Sequence, residues 1–250
     1  MSREIAVDDD GLVRLQKLLA QSGVASRRRC EELMLDGEVE VDGEVVTRLG
    51  TKVDPRTATI KVSGRRLPPV SEHVYLVLNK PRGVVSTMSD PEGRRTISDL
   101  VADRPERLFH VGRLDTDTSG LLLLTNDGEF AHRMAHPSYE VEKTYVAEVD
   151  GRIARGTIAD LLAGVTLDDG PVQVRRARLV TATAGKSIVE LVIHEGRNRI
   201  VRRLLDQVGH PVRQLSRTRF GPVELGSLQV GQTRELTNDE LGALLEIVGM

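Results

Sequence analysis

The apolar positions at the beginning of the chain predict two short helices and a small sheet. Four leucines recur at helical spacing in LVRLQKLLA, residues 12–20. Ser26 is a suitable N-cap for a second helix, RRRCEELML, which an Asp-Gly pair at 36–37 ends. The segments VEV and EVV then flank a second Asp-Gly pair at 42–43, a strong signal for a β-hairpin. We therefore expect a compact unit over this part of the chain.

From residue 73 onwards, short apolar runs alternate with amphipathic stretches. HVYLVLNK, residues 73–80, is a strand candidate. Further strand candidates are residues 121–125, 143–149, 172–180, 187–194 and 211–217, and helix candidates are residues 128–135, 154–163, 197–208 and 237–247. Thr237 and Glu240 form a capping box for the last helix. The order lacks the regular strand–helix rhythm of a parallel sheet, so we predict a mixed α+β domain with a largely antiparallel sheet.

The chain of 250 residues is long enough for a small domain followed by a larger one. LPPV at 67–70 is the best linker candidate. We therefore predict a domain over 12–67, a linker over 68–72 and a second domain over 73–250. No apolar run approaches the roughly 18 residues of a membrane helix, and the lone Cys30 allows no internal disulfide. We expect a cytoplasmic monomer without membrane contact.

The charge distribution adds a candidate partner. The formal net charge is −2, but residues 12–70 hold 11 Lys or Arg against 8 Asp or Glu, and residues 186–219 hold 8 against 3. Two locally basic faces can serve an RNA partner while the rest of the chain stays neutral or acidic. Aromatic residues make up only 2% of the chain. This excludes an RNA-binding surface built on rows of stacked aromatic side chains.

The segment HVGRLDTDTSGLLLLTNDGEF, residues 110–130, places charged and hydroxyl side chains directly before an apolar run at 121–124. Taken alone, Arg113 and Asp115 predict a local ion pair that caps a turn. The Asp-Thr-Ser-Gly stretch at 117–120 resembles the Asp-Thr-Gly loop of aspartic proteases, in which two such loops share a proton. Serine replaces the required glycine and the sequence has no second copy, which disfavours a protease.

The N-terminal segment resembles the small RNA-binding domain named after small-subunit ribosomal protein four, also called the α-L motif. The resemblance covers residues 12–60 and rests on the leucine spacing, the Gly-Val-Ala-Ser-Arg-Arg turn and the two Asp-Gly pairs. The helix dipole disfavours cations at a helix N-terminus, and a phosphate partner would explain the arginines there. The resemblance implies RNA contacts by Arg14, Lys17, Arg27, Arg28 and Arg29. The alternative is an ordinary helical hairpin with solvated arginines.

Four segments of the larger region resemble the pseudouridine synthases that modify bacterial ribosomal RNA, the RsuA/RluB type. In chain order they are NKPRG at 79–83, the aspartate segment at 110–128, EKTY at 142–145 and EGRNRIVRR at 195–203. Together with the α-L domain, the resemblance covers residues 12–235. Ile200 is a departure, because family members often have glutamine or another polar residue there. This residue neighbours the key arginine and is not itself expected to act.

The resemblance implies an enzyme that breaks the bond between ribose C1′ and uracil N1, rotates the base and rejoins it through C5. Asp115 is then the carboxylate beside C1′, which stabilises positive charge on the sugar or attacks the carbon. A carboxylate enclosed without a cation takes up a proton, and the resemblance assigns Arg202 as the partner of Asp115. Tyr145 is expected against the target base. Arg113 is expected to fill the space of the flipped base or to contact a phosphate.

Four more residues are expected to position RNA or the base. Leu215 matches a family region that packs an apolar side chain near the base. Lys80, Arg82 and Arg197 are expected to contact RNA, and for Lys80 and Arg82 the alternative is a solvated loop. We expect neither a cofactor nor a metal, because the reaction has no redox step and no phosphate transfer. The sequence also lacks a phosphate-binding glycine loop and a Cys/His cluster at metal spacing.

The forms DPEGR at 90–94 and EGRNR at 195–199 look more like the large-subunit members, so we expect a pseudouridine synthase that acts on 23S rRNA, free or in a pre-ribosomal particle. The alternatives are the same reaction on 16S rRNA and a non-catalytic rRNA-binding assembly factor. Such a factor would be free to lose Asp115, Tyr145 or Arg202, and all three are present. A glycoside or nucleoside hydrolase needs a second catalytic carboxylate. Asp117 is the nearby candidate, and a local turn role explains it.

Overall fold

A computed structural model describes residues 11–55, 57–67 and 73–250 of the chain. The chain divides into two compact units. The first contains the described residues up to Val74 with Pro105–Arg107 and Asn126–Glu129, and the second contains the other described residues. The predicted linker, 68–72, lies outside the described residues. Within the described part of the chain, no helix combines the length and the apolar character that a bilayer span requires.

The first unit is built from two helices and two small sheets. Its elements are β1 (Val13–Arg14), α1 (Leu15–Gln21), α2 (Arg27–Leu35), β2 (Val39–Val41), β3 (Glu44–Val45), β4 (Lys52–Val53), β5 (Ile60–Val62) and β6 (Arg65–Arg66). β1 and β4 form one antiparallel pair, and the other four strands form an antiparallel sheet in the order β3-β2-β5-β6. The predicted pair of helices and the predicted hairpin are therefore confirmed.

Local chemistry explains where these elements begin and turn. Ser26 Oγ accepts a hydrogen bond from the Arg29 backbone N–H at 3.1 Å, which confirms the predicted N-cap of α2. Asp42 and Gly43 have φ of 53° and 90°, as the two central residues of a type I′ hairpin turn require. The apolar core of the unit consists of Val13, Leu15, Leu18, Leu19, Cys30, Met34, Val39, Val53 and Ile60.

The second unit is centred on a nine-stranded sheet and also contains a separate hairpin, β11–β12. Its strands are β7 (Tyr75–Lys80), β8 (Phe109–Val111), β9 (Thr118–Thr125), β10 (Lys143–Asp150), β11 (Val165–Leu167), β12 (Gly170–Val172), β13 (Arg176–Ala182), β14 (Lys186–Ile193), β15 (Val212–Phe220), β16 (Val223–Glu224) and β17 (Thr233–Glu235). The main order is β13-β14-β10-β15-β9-β7-β17, with β16 beside β15 and β8 beside β9. Only the β15–β9 pair is parallel in this sheet. This confirms the predicted α+β class with a largely antiparallel sheet.

The described part of the chain contains four further α-helices: α3 (Gly128–Ala135), whose first two residues belong to the first unit, α4 (Arg155–Ala163), α5 (Ile200–Gln207) and α6 (Asn238–Ile247). The chain also forms two short 3-10 turns, Ile97–Leu100 and Pro137–Tyr139. The Thr237–Glu240 capping box is confirmed, because each side chain accepts a hydrogen bond from the other residue's backbone N–H.

Several predicted elements have different bounds in the structure, and two of them have a clear local reason. The helix expected from residue 197 begins at Ile200, because Arg199 has a left-handed φ of 48° and cannot continue a helical turn. The strand expected over 172–180 is two separate strands. Val172 pairs with Val165 in the β11–β12 hairpin, and β13 starts only at Arg176. Periodicity alone does not separate two short strands that a few residues divide.

The leucine run is the middle of β9, which lies between β15 and β7 in the sheet. All four residues from Leu121 to Leu124 are buried. A strand covered on both faces is typically apolar at every position instead of alternating. The polar turn before β9 is therefore attached to one of the most enclosed strands of the unit.

Candidate active site

The polar turn before β9 is held by the segment that follows β7. Ser86 Oγ donates to the Leu114 carbonyl at 2.6 Å and accepts from the Leu114 N–H at 3.1 Å. The Gly83 N–H donates to the Thr116 carbonyl at 2.7 Å. These bonds fix the backbone on both sides of Asp115, whose side chain is 32% exposed. The turn therefore presents this carboxylate from a rigid backbone.

A glycine allows β9 and β15 to approach closely behind this turn. Gly120 has φ of 106°, and a Cβ atom there would lie 2.2 Å from the Arg217 carbonyl oxygen. Residues 215–217 of β15 pair in parallel with residues 118–120 of β9. The close pairing brings Leu215 and Arg217 beside the turn that carries Asp115.

Lys80 supports the neighbouring segment from inside the protein. The side chain is fully buried, and Nζ donates to the carbonyls of Pro81 at 3.0 Å and Val84 at 2.7 Å. Burial lowers the pKa of Lys80 to about 8, although the charges of Asp115 and Asp117 partly oppose this effect. The prediction that Lys80 contacts an RNA phosphate is wrong, because its ammonium group is enclosed and binds two backbone carbonyls.

The Asp117 carboxylate binds two arginines from the region around the start of α5. Arg199 Nη1 and Nη2 lie 3.2 and 3.0 Å from its two oxygens, a bidentate pair. Arg202 Nη2 lies 3.3 Å from Asp117 Oδ2. Burial acts to raise the pKa of Asp117, but the hydrogen bonds from Arg199 and the charge of Arg202 outweigh it and lower the pKa below its usual range. Asp117, for which the sequence suggested a local turn role, therefore also binds two residues from far along the chain.

Arg202 contacts the turn, but its carboxylate partner differs from the predicted one. Its Nη2 donates to the Asp117 carbonyl at 2.9 Å and lies 3.4 Å from Thr118 Oγ1. The Arg202–Asp115 ion pair expected from the sequence is not formed. Arg199 Nη1 is the cationic atom near Asp115, 3.9 Å from Oδ2. Turn acceptors direct the Arg202 guanidinium towards Asp117, and burial lowers the pKa of Arg202.

Arg197 binds the protein with every nitrogen of its guanidinium. Nε donates to Glu195 at 2.7 Å, Nη1 donates to the carbonyl and the carboxylate of Asp169, both at 2.9 Å, and Nη2 donates to the Pro171 carbonyl at 2.7 Å. Arg203 Nη2 also binds the Asp169 carboxylate, at 2.8 Å. Together they fasten the β11–β12 hairpin to the segment before α5. Arg197 thus binds protein acceptors and also lines the cavity described below, and its predicted role in positioning RNA stays a prediction.

A cavity of about 380 Å³ opens beside the turn, between β10, β15 and the segment before α5. This volume falls within the range of small-molecule sites, about 300 to 1,000 Å³. Five of the predicted site residues line the cavity: Arg113, Asp115, Tyr145, Arg197 and Leu215. Tyr145 is 8% exposed and Leu215 4%. The described residues contain no group of three His, Cys, Asp or Glu side chains placed to hold a metal ion.

Two predicted arginines remain on the surface. Arg113 is exposed and lines the cavity. Within the described residues it forms no ion pair, so the local Arg113–Asp115 pair that the sequence suggested is absent. Arg82 is also exposed, and its charge helps to lower the pKa of Arg202. Their RNA-contacting roles stay predictions.

Three cations of the cavity were not among the predicted site residues: Arg199, described above, Lys143 and Arg217. Lys143 and Arg217 are close in sequence to residues that were predicted. Lys143 precedes Tyr145 by two residues on β10, and Arg217 follows Leu215 by two on β15. Side chains two apart on a strand share one face, so this spacing could have identified them.

The predicted RNA-contacting residues of the first unit have varied surroundings. Arg14 is exposed, and Lys17 is half-buried. Arg27, Arg28 and Arg29 are exposed on the first turn of α2. Arg29 forms a 2.7 Å ion pair with Glu32, and this hydrogen bond raises the pKa of Arg29. These placements are compatible with RNA contacts, which stay predictions.

Two known families match this chain. The family described as RNA pseudouridylate synthase matches residues 74–207, and the S4 domain matches residues 13–57. The resemblances to these two families found in the sequence are therefore confirmed.

Relatives match nearly the whole chain. A protein of Mycobacterium tuberculosis (strain ATCC 25618 / H37Rv), described as an uncharacterized RNA pseudouridine synthase, is 54% identical over 241 residues, which are 95% of each protein. The ribosomal large subunit pseudouridine synthase B of Bacillus subtilis (strain 168) is 46% identical over 233 residues, 92% of this chain and 95% of that one. A crystal structure of a pseudouridylate synthase superimposes with a TM-score of 0.64 at 30% identity, covering 93% of this chain and 99% of that one.

Proposed function

The chain belongs to the RNA pseudouridine synthase family, and on this premise we propose that it isomerises uridine to pseudouridine in 23S ribosomal RNA. The first unit anchors the RNA, and the cavity of the second unit receives one flipped uridine. The Bacillus subtilis relative is named for the large ribosomal subunit, which supports 23S rRNA as the substrate. The same reaction on 16S rRNA is the alternative.

We assign Asp115 to the ribose. Cleavage of the C1′–N1 bond develops positive charge on the sugar, and a carboxylate beside C1′ stabilises this charge or attacks the carbon. Arg199 and Arg202 keep the surroundings of this carboxylate cationic, Arg202 through its contacts with Asp117. Tyr145 and Leu215 line the space for the base, and Arg113 lies where it can reach the RNA backbone.

One observation carries the proposal: Asp115 is the one carboxylate among the residues that line the cavity. Hydrolysis of a glycosidic bond normally uses two carboxylates that flank the bond. The second candidate, Asp117, is bound by two arginines and does not line the cavity. A single carboxylate suits a reaction in which the detached base, rather than a water molecule, returns to C1′.

The test is carbodiimide mapping of pseudouridine in rRNA from cells with and without the gene. We expect one 23S uridine to lose its modification in the deletion strain and to regain it with the wild-type gene. Asp115→Asn should not restore it, although the purified variant should bind the RNA with an unchanged dissociation constant. Asp168→Asn is the matched control, because that carboxylate is 91% exposed, and it should restore the modification fully.

The other outcomes are informative. Loss of a 16S site would replace the 23S assignment by the alternative. An unchanged map in the deletion strain would contradict the proposed function and favour an assembly factor. Modification restored by Asp115→Asn would contradict the role given to Asp115 but leave the activity itself standing.

A further inference from the structure

Two cations at the buried end of the cavity, Lys143 and Arg217, have no carboxylate partner within the described residues; we call this pair the cationic floor. Arg217 is 2% exposed, its Nε donates to the Leu121 carbonyl at 2.8 Å, and its Nη2 has no hydrogen-bond partner in the described part of the chain. Lys143 Nζ donates to the carbonyls of Val141 and His194, both at 2.9 Å. Arg217 is buried and Lys143 is half-buried, and two such like charges without a counter-charge are costly in a folded protein.

The described groups around Lys143 and Arg217 do not neutralise their positive charge. Both groups lie near the ring of Phe220, with Lys143 Nζ at 5.5 Å and the Arg217 guanidinium carbon at 5.1 Å from its centroid. An aromatic face attracts cations but carries no negative charge of its own. Burial, and then the charge of Arg217, lowers the pKa of Lys143 to about 8. The protein therefore maintains a positive potential at this end of the cavity.

The strand register places both cations beside Tyr145 and Leu215, which line the proposed space for the base. Tyr145 lies opposite Arg217 in the β10–β15 ladder, and Lys143 and Leu215 are each two residues from one of them. All four residues line the cavity. In contrast, Arg113 and Arg199, which also line the cavity, are exposed to solvent. Cations enclosed away from water act more strongly on a nearby charge.

The proposed reaction creates a negative charge on the base, opposite in sign to these cations. When the C1′–N1 bond breaks, its electron pair stays on the base, which becomes a uracil anion with charge spread over N1 and the two carbonyl oxygens. C5 of this anion then supplies the electron pair of the new bond to C1′, the proton leaves C5, and N1 gains a proton. No oxidant, reductant or second substrate takes part.

We propose that the cationic floor stabilises the uracil anion between cleavage and rejoining. This inference rests on the proposed function and adds to it a group that acts on the base rather than on the sugar. Asp115 then stabilises the positive charge on the sugar, and the cationic floor stabilises the negative charge on the base. Interactions that are stronger with the charged intermediate than with bound uridine accelerate the reaction.

The test compares full-length protein variants on 23S rRNA transcribed with either uridine or 5-fluorouridine. Fluorine withdraws electrons and stabilises the base anion without help from the protein. The readout is the single-turnover rate at which nucleosides joined through carbon appear, measured by mass spectrometry after digestion. C5 of 5-fluorouridine has no proton to lose, so its carbon-joined product gains water at C6 and a proton at N1 instead, and this hydrated nucleoside is the one counted. We expect Arg217→Gln to slow the uridine reaction by about 10²-fold and the 5-fluorouridine reaction by only about 10-fold. Arg217→Lys should retain most of the rate on both RNAs.

Control variants distinguish misfolding, failure of this inference and failure of the proposed function. Arg178→Gln, an exposed arginine of the edge strand β13 that pairs with Glu190, should leave both rates unchanged. Thermal unfolding and RNA affinity are measured for each variant, and Lys143→Gln provides a second variant if Arg217→Gln does not fold. Equal losses on the two RNAs, or no loss, would overturn the inference while the proposed function stands. A wild-type protein that modifies neither rRNA would overturn the proposed function, and this inference with it.

Discussion

Two arginine-rich segments look alike in the sequence, RRR at 27–29 and RNRIVRR at 197–203, yet the structure uses them differently. The first starts α2 and is exposed, and within the described residues Arg27 and Arg28 form no ion pair. In the second, each arginine binds at least one carboxylate. One segment exposes its charge to solvent, and the other uses its charge to bind carboxylates of the protein.

The difference shows that local charge counts do not identify RNA-contacting residues. An arginine in water retains its charge for a phosphate, and each such contact releases counterions from the RNA. An arginine that is already bonded to carboxylates and carbonyls, such as Arg197, would have to break those bonds first. The basic balance over 186–219 therefore reflects the construction of the site more than an RNA-binding face.

The largest expected effect concerns Arg202, which binds the turn rather than solvent. Arg202→Ala removes donors to the Asp117 carboxylate and carbonyl, and this frees the backbone that carries Asp115. We expect the single-turnover rate of pseudouridine formation to fall by about 10² to 10³, as for other positioned electrostatic groups. A loss below tenfold at saturating RNA would contradict this role.

The neighbouring Arg203 supplies the matched control. Arg203→Ala removes contacts with Asp169, in the turn of the β11–β12 hairpin, and with the Asn198 carbonyl, but it leaves the bonds of Arg199 and Arg202 to Asp117 in place. We expect a lower melting temperature and a rate within tenfold of the wild type. Equal rate losses in the two variants would mean that the segment acts only through its overall stability.

The next effect tests the exposed segment. Arg27→Gln combined with Arg28→Gln should raise the RNA dissociation constant about tenfold and reduce the slope of log affinity against log salt by about 1.4 to 1.8, because two phosphate contacts are lost. The rate at saturating RNA should stay unchanged. Filter binding between 50 and 200 mM salt measures both quantities.

Arg197→Gln is the counterpart from the second segment. It should leave the salt slope unchanged, because Arg197 binds protein acceptors, but it should lower the melting temperature. A reduced salt slope for Arg197→Gln, or an unchanged one for the double variant, would remove the distinction between the two segments.

The sequence was sufficient for the features that depend on local rules. The Ser26 cap, the Asp42-Gly43 hairpin, the Thr237–Glu240 capping box and the buried leucine run each follow from a few adjacent residues. The family motifs also led to Asp115, Tyr145 and Leu215, which line one cavity. Short-range patterns and motifs therefore located the site.

Contacts between side chains that are far apart in the chain could not be predicted from these local patterns. The partner of Asp117 depends on where α5 begins, and the left-handed Arg199 moves that start by three residues from the predicted one. Lys80 is in a loop-like motif, but it is buried because β7 runs through the interior of the sheet. The spacing of residues in the sequence does not predict which hydrogen-bond acceptors a long side chain contacts in the fold.

The smallest expected effect concerns Lys143, a cation that is neither exposed nor paired with a carboxylate. It faces Arg217 on β15, the ring of Phe220, and the carbonyls of Val141 and His194. Burial and the charge of Arg217 lower its pKa from 10.5 to about 8. The folded protein therefore loses this proton near pH 8, whereas the unfolded chain keeps it until about pH 10.5.

Between these two pH values the unfolded state binds more protons, so the free energy of unfolding of the wild type should rise relative to that of Lys143→Met. The difference should grow by about 1 kcal/mol per pH unit within this window and stay constant below pH 7. Denaturant unfolding of both proteins at pH 7, 8, 9 and 10 measures it. Lys186→Met is the control, because that lysine is half exposed and bound to Glu148, and it should show no such rise. A pH-independent difference for Lys143→Met would contradict the lowered pKa of Lys143. It would mean that a negative group neutralises this cation, as carboxylates neutralise Arg199 and Arg202.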